Sequence, residues 1–176
     1  MAGHMTLENI IPYHLDALMS KLKETGVHID PKIDYVDIYS SKTLSAVDVK
    51  TAPYPGFATD LQAPLTALLT QAEGTSHITE TIYPERFKHC EQLNLMGANT
   101  SIVVPTATII GKTPLVGCDV RATDLRCGAG LVVAGLMAEG VTTIHDIYHI
   151  DRGYENLDGK LKDVGAHIWH PPPSCG

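Results

Sequence analysis

Three arginines and two aspartates recur at matching places along the chain. Arg86 and Arg152 stand at or just before an expected helix start, and Arg126 stands in the first turn after Thr123-Asp124. A helix amino end is already partly positive, so a cation there is locally unfavourable. The free backbone N–H groups at the same end attract anions. If the fold brings these ends together, the product is a cationic pocket suited to phosphate or carboxylate. The structural alternative is that each arginine pairs with a neighbouring acid such as Glu85, Asp124 or Asp151. Asp60, in Pro55-Gly56-Phe57-Ala58-Thr59-Asp60-Leu61-Gln62, has two readings as well. It caps the helix that follows, as its twin Asp124 suggests, or it is a general base acting on a hydroxyl at a loop-to-helix junction.

Other candidate chemistry is weaker. His145 and His149 are spaced for a metal on a helix, but Thr142 to His149 reads as strand, which places them two pleats apart. No metal site is expected. Cys127 begins a buried apolar run and has no histidine–acid arrangement around it, so a thiol nucleophile lacks support.

The 176 residues are 44% hydrophobic and 19% charged, with a formal net charge of −7. A general nucleic-acid binder needs a basic face, so that class is disfavoured. The run from Cys127 to Ala138 is too short to span a bilayer and reads as a buried helix. The four cysteines form no Cys-x-x-Cys pair, and no secretory signal opens the chain, which fits a reducing compartment. Residues 1–5 look like a cloning scar, residues 6–170 like a single lobe, and residues 171–176 like a surface tail.

The elements that must position these residues are repetitive. Leu22-Lys23-Glu24-Thr25-Gly26-Val27-His28-Ile29 returns as Leu161-Lys162-Asp163-Val164-Gly165-Ala166-His167-Ile168, with a weaker copy at Leu93-Asn94-Leu95-Met96-Gly97-Ala98. Each copy reads as a helix end, a glycine stop and a strand start. Out of phase with it, Thr59-Asp60-Leu61 leads to Ala72-Glu73-Gly74, and Thr123-Asp124-Leu125 leads to Ala138-Glu139-Gly140. Each is expected to open a capped helix that closes near the glycine. Strands follow at 75–83 and 141–148, then helices at 86–96 and 152–164. The chain enters at a helix over 12–25, whose Leu15, Leu18, Met19 and Leu22 form one apolar stripe, followed by strands at 35–40 and 46–51. The fold class is therefore α/β (α+β): repeated βαβαββ units around a common core, with the first unit incomplete and upstream sequence expected.

Four stretches carry a resemblance. Pro53 to Gln62, Ile78-Thr79-Glu80-Thr81-Ile82-Tyr83-Pro84-Glu85-Arg86-Phe87, Ala122-Thr123-Asp124-Leu125-Arg126 and Ile147-Tyr148-His149-Ile150-Asp151-Arg152-Gly153-Tyr154-Glu155 resemble UDP-N-acetylglucosamine 1-carboxyvinyltransferase in content, order and spacing. The resemblance implies an inside-out α/β barrel of two similar lobes. It implies a cytoplasmic enzyme that transfers the enolpyruvyl group of phosphoenolpyruvate to the 3′-hydroxyl of UDP-N-acetylglucosamine, a step of peptidoglycan precursor synthesis, without a cofactor. By the same match Asp60 contacts the 3′-hydroxyl as proposed base, Ile82 meets the amino sugar through its backbone, and Arg152 binds phosphoenolpyruvate. Arg86, Asp124 and Arg126 line the same cleft.

The departures are specific. The family's amino-terminal Lys-Asn motif and its cysteine-bearing mobile loop have no counterpart here, and Ala58 stands where proline is common. The chain alone is thus expected to be inactive, to miss its amino-terminal lobe, and to expose apolar surface or strand edges that favour self-association. A non-catalytic anion- or partner-binding module of the same fold is the alternative. A purely structural repeat domain is a third, and it requires that the arginines stay apart.

Overall fold

The computed structural model describes residues 3–170. The proposed tail, residues 171–176, lies outside the described residues. Three glycines phase the structure. Gly26, Gly97 and Gly165 have φ of +97°, +97° and +95°, the left-handed geometry in which a side chain is strained. Each ends a helix, as the repeated motif requires.

The central unit is complete. It runs β4 (Leu44–Ser45) and β5 (Val49–Lys50), α2 (Gln62–Leu69), β6 (Ala72–Thr79), α3 (Lys88–Leu95), β7 (Asn99–Val103) and β8 (Thr106–Gly111). Its sheet order is β4-β6-β8-β7, with β5 also on β6; β4 and β5 are parallel to β6, and β8 is antiparallel to it. The unit before it contains β1 (His4–Glu8), α1 (Asp16–Glu24), β2 (His28–Pro31) and β3 (Tyr35–Tyr39), ordered β1-β3-β2. That order repeats β6-β8-β7, so β1 occupies the place of β6. The first unit therefore reaches back one strand beyond the helix at which the sequence reading began it. His4 and Met5, set aside as a scar, pair with Tyr39 and Ile38. The third unit has β9 (Asp119–Arg121), α4 (Leu125–Met137), β10 (Thr143–His145), α5 (Tyr148–Asp151) and α6 (Leu157–Asp163). Its β9 and β10 are parallel, like β5 and β6.

Several expected boundaries shift for local reasons. Helix α2 ends at Leu69, and Ala72-Glu73-Gly74 opens β6 instead of closing the helix, because Ala72 is buried and pairs with Leu44. The expected strand at 46–51 shrinks to β5, and a gap separates it from β4, which lies before the expected start. Side chains replace ladder bonds in the gap: Val47 N–H donates to Ser76 Oγ, and Asp48 accepts from His77 N–H. The expected strand at 141–148 shrinks to Thr143–His145. Asp146 turns left-handed there, with φ +59° and its carboxylate accepting from Arg121, and Tyr148 begins a helix. Accordingly His145 lies on a strand while His149 lies on α5. Arg152 does not open a helix; it is the C-cap of α5, and Asn156 at φ +49° separates α5 from α6.

The helices α2 and α4 form the centre. Leu65 and Leu69 pack onto β6 and β8 with Ile78 and Ile109, while Ala67 joins Leu93, Leu115, Leu131 and Ala134 in a second cluster among α2, α3 and α4. Small residues let the two helix backbones meet. A Cβ on Gly130 would stand 3.0 Å from the Ala63 carbonyl oxygen. Gly130→Val should therefore overpack this contact and destabilise the protein by ~1–3 kcal/mol, read as a lower urea midpoint at unchanged slope. An unchanged midpoint would show that the helices can separate freely.

Candidate functional site

The α2–α4 contact dictates what stands at their amino ends. Asp60 lies in the 3-10 turn Thr59–Leu61 that leads into α2, and Arg126 is the second residue of α4. With Ala63 beside Gly130 and Ala67 clustered with Ala134, the helices run in the same direction, so their positive ends coincide. The Arg126 Nε–H donates to Asp60 Oδ1 at 2.5 Å. Arg86 Nη1 lies 4.0 Å from the same oxygen. Asp60 Oδ2 has no hydrogen-bond or ion-pair partner among the described residues, and the carboxylate is largely exposed. An exposed pair of this kind contributes little stability, about 0–1 kcal/mol, so its consequence is geometric.

The twin aspartates have parted roles. Asp124 is a true cap, its Oδ1 accepting from the backbone N–H groups of Arg126 and Cys127. Asp60 caps nothing: the N-cap of its turn is Ala58, and no side chain serves it. Nor do Arg86 and Arg126 pair with the neighbours Glu85 and Asp124; both turn to Asp60.

Arg86, Lys88, Asp124 and Arg126 line a cleft of about 440 Å³ with Tyr83 and His89. Arg86 is held on three sides. Its Cζ sits 3.8 Å above the Tyr83 ring, a cation–π contact. Its Nη1 donates to Thr59 Oγ1 at 2.9 Å, and its carbonyl accepts from buried Gln62 at 3.2 Å. Ile82 lies on the segment before it, where its backbone N–H donates to Glu80. Arg152 is exposed and forms no hydrogen bond or ion pair with Asp60, Arg86 or Arg126 among the described residues. Its neighbours do approach. Gly153 lies against Leu125, and the Tyr154 phenol is raised by burial and by the charge of Asp60, with Arg126 opposing. Two arginines thus converge, and the third stands on the loop alongside.

Residue choice alone did not single out Glu80 or Tyr154. Glu80 is fully buried. Its Oε1 accepts from Thr51 Oγ1 (2.7 Å), Ile82 N–H (2.9 Å) and Tyr83 N–H (3.1 Å), and its Oε2 from Thr59 Oγ1 (2.8 Å). Burial pushes its carboxyl up, but these donors prevail and hold it below the ordinary glutamate range. A signal was present: Ser76, Ile78 and Glu80 share the inward phase of alternation, so an acid occupies a core position. Tyr154 gave no comparable signal. Cys127 is raised by burial, and Cys90 is pushed up to about 12 by the same cause, so neither is an activated thiol. Among the described residues no group of three or more His, Cys, Asp or Glu could hold a metal ion. Nor is any helix among them long and apolar enough to cross a membrane.

The sequence matches the profile of the family described as EPSP synthase (3-phosphoshikimate 1-carboxyvinyltransferase) over residues 1–161. The chain belongs to that family. UDP-N-acetylglucosamine 1-carboxyvinyltransferase 2 of Geobacillus kaustophilus is 52% identical over 167 residues, which are 95% of this chain and 39% of that protein. The protein of the same name from Bacillus subtilis is 53% identical over 170 residues, 96% of this chain and 40% of the relative. The enolpyruvyl transferase NikO from Streptomyces tendae superposes with a TM-score of 0.82 at 33% identity, covering 89% of this chain and 36% of that one. EPSP synthase from Acinetobacter baumannii matches with a TM-score of 0.64 at 21% identity, over 81% of this chain and 34% of the other, and shows the shared fold alone. These neighbours have the inside-out α/β fold expected from the resemblance. This chain spans about two fifths of the length of the curated relatives it matches.

The buried imidazole makes stability depend on pH. His89 is 2% exposed, and burial lowers it from 6.5 to about 4, with Asp124 opposing. Unfolded chains take up this proton near pH 6.5 and the folded chain only near 4. Its contribution is therefore complete above pH 6.5 and falls through that window by about 3 kcal/mol in all. Glu80, lowered in the fold, extends the loss below the ordinary glutamate range. Urea unfolding at pH 7, 5.5 and 4 should show this decline, and His89→Gln should flatten it. Equal slopes for variant and parent would mean that His89 accepts its proton at no cost in the fold.

Proposed function

We propose that this chain carries one face of the active site of a UDP-N-acetylglucosamine 1-carboxyvinyltransferase. Such an enzyme moves the enolpyruvyl group of phosphoenolpyruvate to the sugar 3′-hydroxyl in peptidoglycan precursor synthesis, in the cytoplasm. The observation that carries the reading is the convergence of Arg86 and Arg126 on one oxygen of Asp60, with its other oxygen left open. The close similarity to relatives of that name supports it.

The geometry suits the chemistry. The open Oδ2 of Asp60 can accept the proton of an approaching alcohol. The hydroxyl oxygen then bonds to the central carbon of the enol phosphate while the methylene carbon takes up a proton; that carbon next gives up a proton as phosphate leaves with its bonding pair, and the double bond is restored. Arg86 and Arg126, at the shared positive end of α2 and α4, offset the charge that gathers on phosphate and carboxylate. Arg152, on the neighbouring loop, is the third cation available to phosphoenolpyruvate. Ile82 offers its carbonyl to the amino sugar. Residues 6–170 act in this reading as one lobe, completed by the remaining length that the relatives possess. The isolated chain should therefore turn over little or no substrate. The exposed Trp169, Val141 and Leu136 around a hollow of about 870 Å³ beside β10 favour self-association of the isolated chain.

Calorimetric titration with UDP-N-acetylglucosamine tests the reading. Saturable binding is expected, and Asp60→Ala should weaken it about tenfold or more, the usual loss for one hydrogen bond to a charged group. No heat from a folded chain, or equal affinity in the variant, would remove Asp60 and this face from sugar recognition.

A further inference from the structure

One of the two arginines that converge on Asp60 is oriented from below by a carboxylate that no substrate can reach. We propose that Glu80 is a positioning residue: through Thr59 and the Ile82–Tyr83 backbone it fixes the guanidinium of Arg86 against Asp60. The inference deepens the proposed function and rests on it for its catalytic meaning, while the positioning itself stands on geometry.

Two routes run from the one carboxylate to Arg86. In the first, Thr59 Oγ1 donates to Glu80 Oε2 at 2.8 Å. An ionised carboxylate only accepts hydrogen bonds, so the single hydroxyl proton of Thr59 is committed to it. The lone pairs of that hydroxyl must then face outward, where Arg86 Nη1 donates to them at 2.9 Å. The result is a chain of one polarity, from guanidinium to hydroxyl to carboxylate. In the second, Glu80 Oε1 accepts from the backbone N–H groups of Ile82 and Tyr83. That pins the turn that carries the Tyr83 ring beneath the Arg86 guanidinium, 3.8 Å from ring centroid to Cζ. The edge and the face of Arg86 are thus both set by the same buried anion.

Glu80 is used as a hub and not merely satisfied. Thr51 repeats the arrangement of Thr59: its hydroxyl donates to Oε1 and accepts from Thr81 N–H. Glu80 therefore joins the end of β5, the turn holding Asp60 and the segment holding Ile82. No cation pairs with it among the described residues, so four neutral donors alone hold the charge. Replacing the carboxylate by an amide keeps the shape but brings N–H groups toward Thr51 or Thr59. One hydroxyl must then turn its proton elsewhere, and toward Arg86 that would place donor against donor.

The test reads Arg86 directly in the intact chain by ¹⁵N NMR of arginine guanidinium groups at low temperature, without ligand. A clamped guanidinium gives separate, slowly exchanging Nη signals, and a free one gives a coalesced signal. Arg86 should be separate in the parent, coalesced in Glu80→Gln and in the isosteric Thr59→Val, and separate again in Thr59→Ser, which keeps the hydroxyl. In parallel, Glu80→Gln should weaken UDP-N-acetylglucosamine binding about tenfold. Parent-like Arg86 signals in folded Glu80→Gln would overturn the proposal. If that variant fails to fold, Thr59→Val decides: parent-like Arg86 signals there would overturn it equally. Coalescence in the variants with no sugar binding by the parent would uphold the positioning and defeat the nucleotide-sugar reading instead.

Discussion

The close approach of α2 to α4 is the constraint on which the rest depends. Ala63 and Gly130 allow two helix backbones to touch where larger side chains would hold them apart. Everything at the amino ends inherits that spacing. Asp60 precedes one helix by two residues, and Arg126 sits in the first turn of the other, so a few ångströms of separation between the axes would break their bond. The same contact aligns two helix dipoles, which individually are weak but here point at one place. The site is thus a by-product of how the core packs, and its precision is that of the core.

Charge is layered outward from that core. Glu80 lies innermost and is satisfied by hydroxyls and amides; Arg86 lies above it, then Arg126, with Asp60 outermost. The order follows from desolvation. A buried carboxylate needs several well-placed donors, and the ends of β5 and β6 and the turn before α2 supply them without a second buried charge. Arginine, with donors spread along a flat edge, can bind below and present charge above. Asp60 is exposed, so water as well as the two cations solvates its charge. The outer members contribute little to stability and are free to exchange partners when an anion or a hydroxyl arrives.

Much of this was legible in the sequence, and the failures have physical causes. The three helix–glycine–strand copies were readable because a left-handed residue after a helix strongly favours glycine, and Gly26, Gly97 and Gly165 adopt it. The buried helix from Cys127 was readable from its continuous apolar run. The boundaries of β5 and β10 were not, because side chains of Ser76 and Asp48 took over backbone bonding at the first, and a left-handed Asp146 bound to the Arg121 side chain ended the second. Arg152 was placed at a helix start because Arg86 stands near one, but Gly153 and Asn156 break the third unit at that point. The clustering of Arg86 and Arg126 on Asp60 is a tertiary fact, suggested by recurrence and produced only by packing. Glu80 was visible as an acid on the inward phase of a strand, a pattern more informative than the identity of the residue.

The divergence of the twin aspartates has a consequence for how this molecule tolerates change. Asp124 still secures the start of α4, so altering it costs helix stability wherever it lies relative to substrate. Asp60 secures no helix, and its exposed carboxylate leaves little behind when removed. One of the two matching junctions is bound to architecture, and the other is released from it. A chain organised this way can explore new chemistry at one junction while the matching junction keeps it folded.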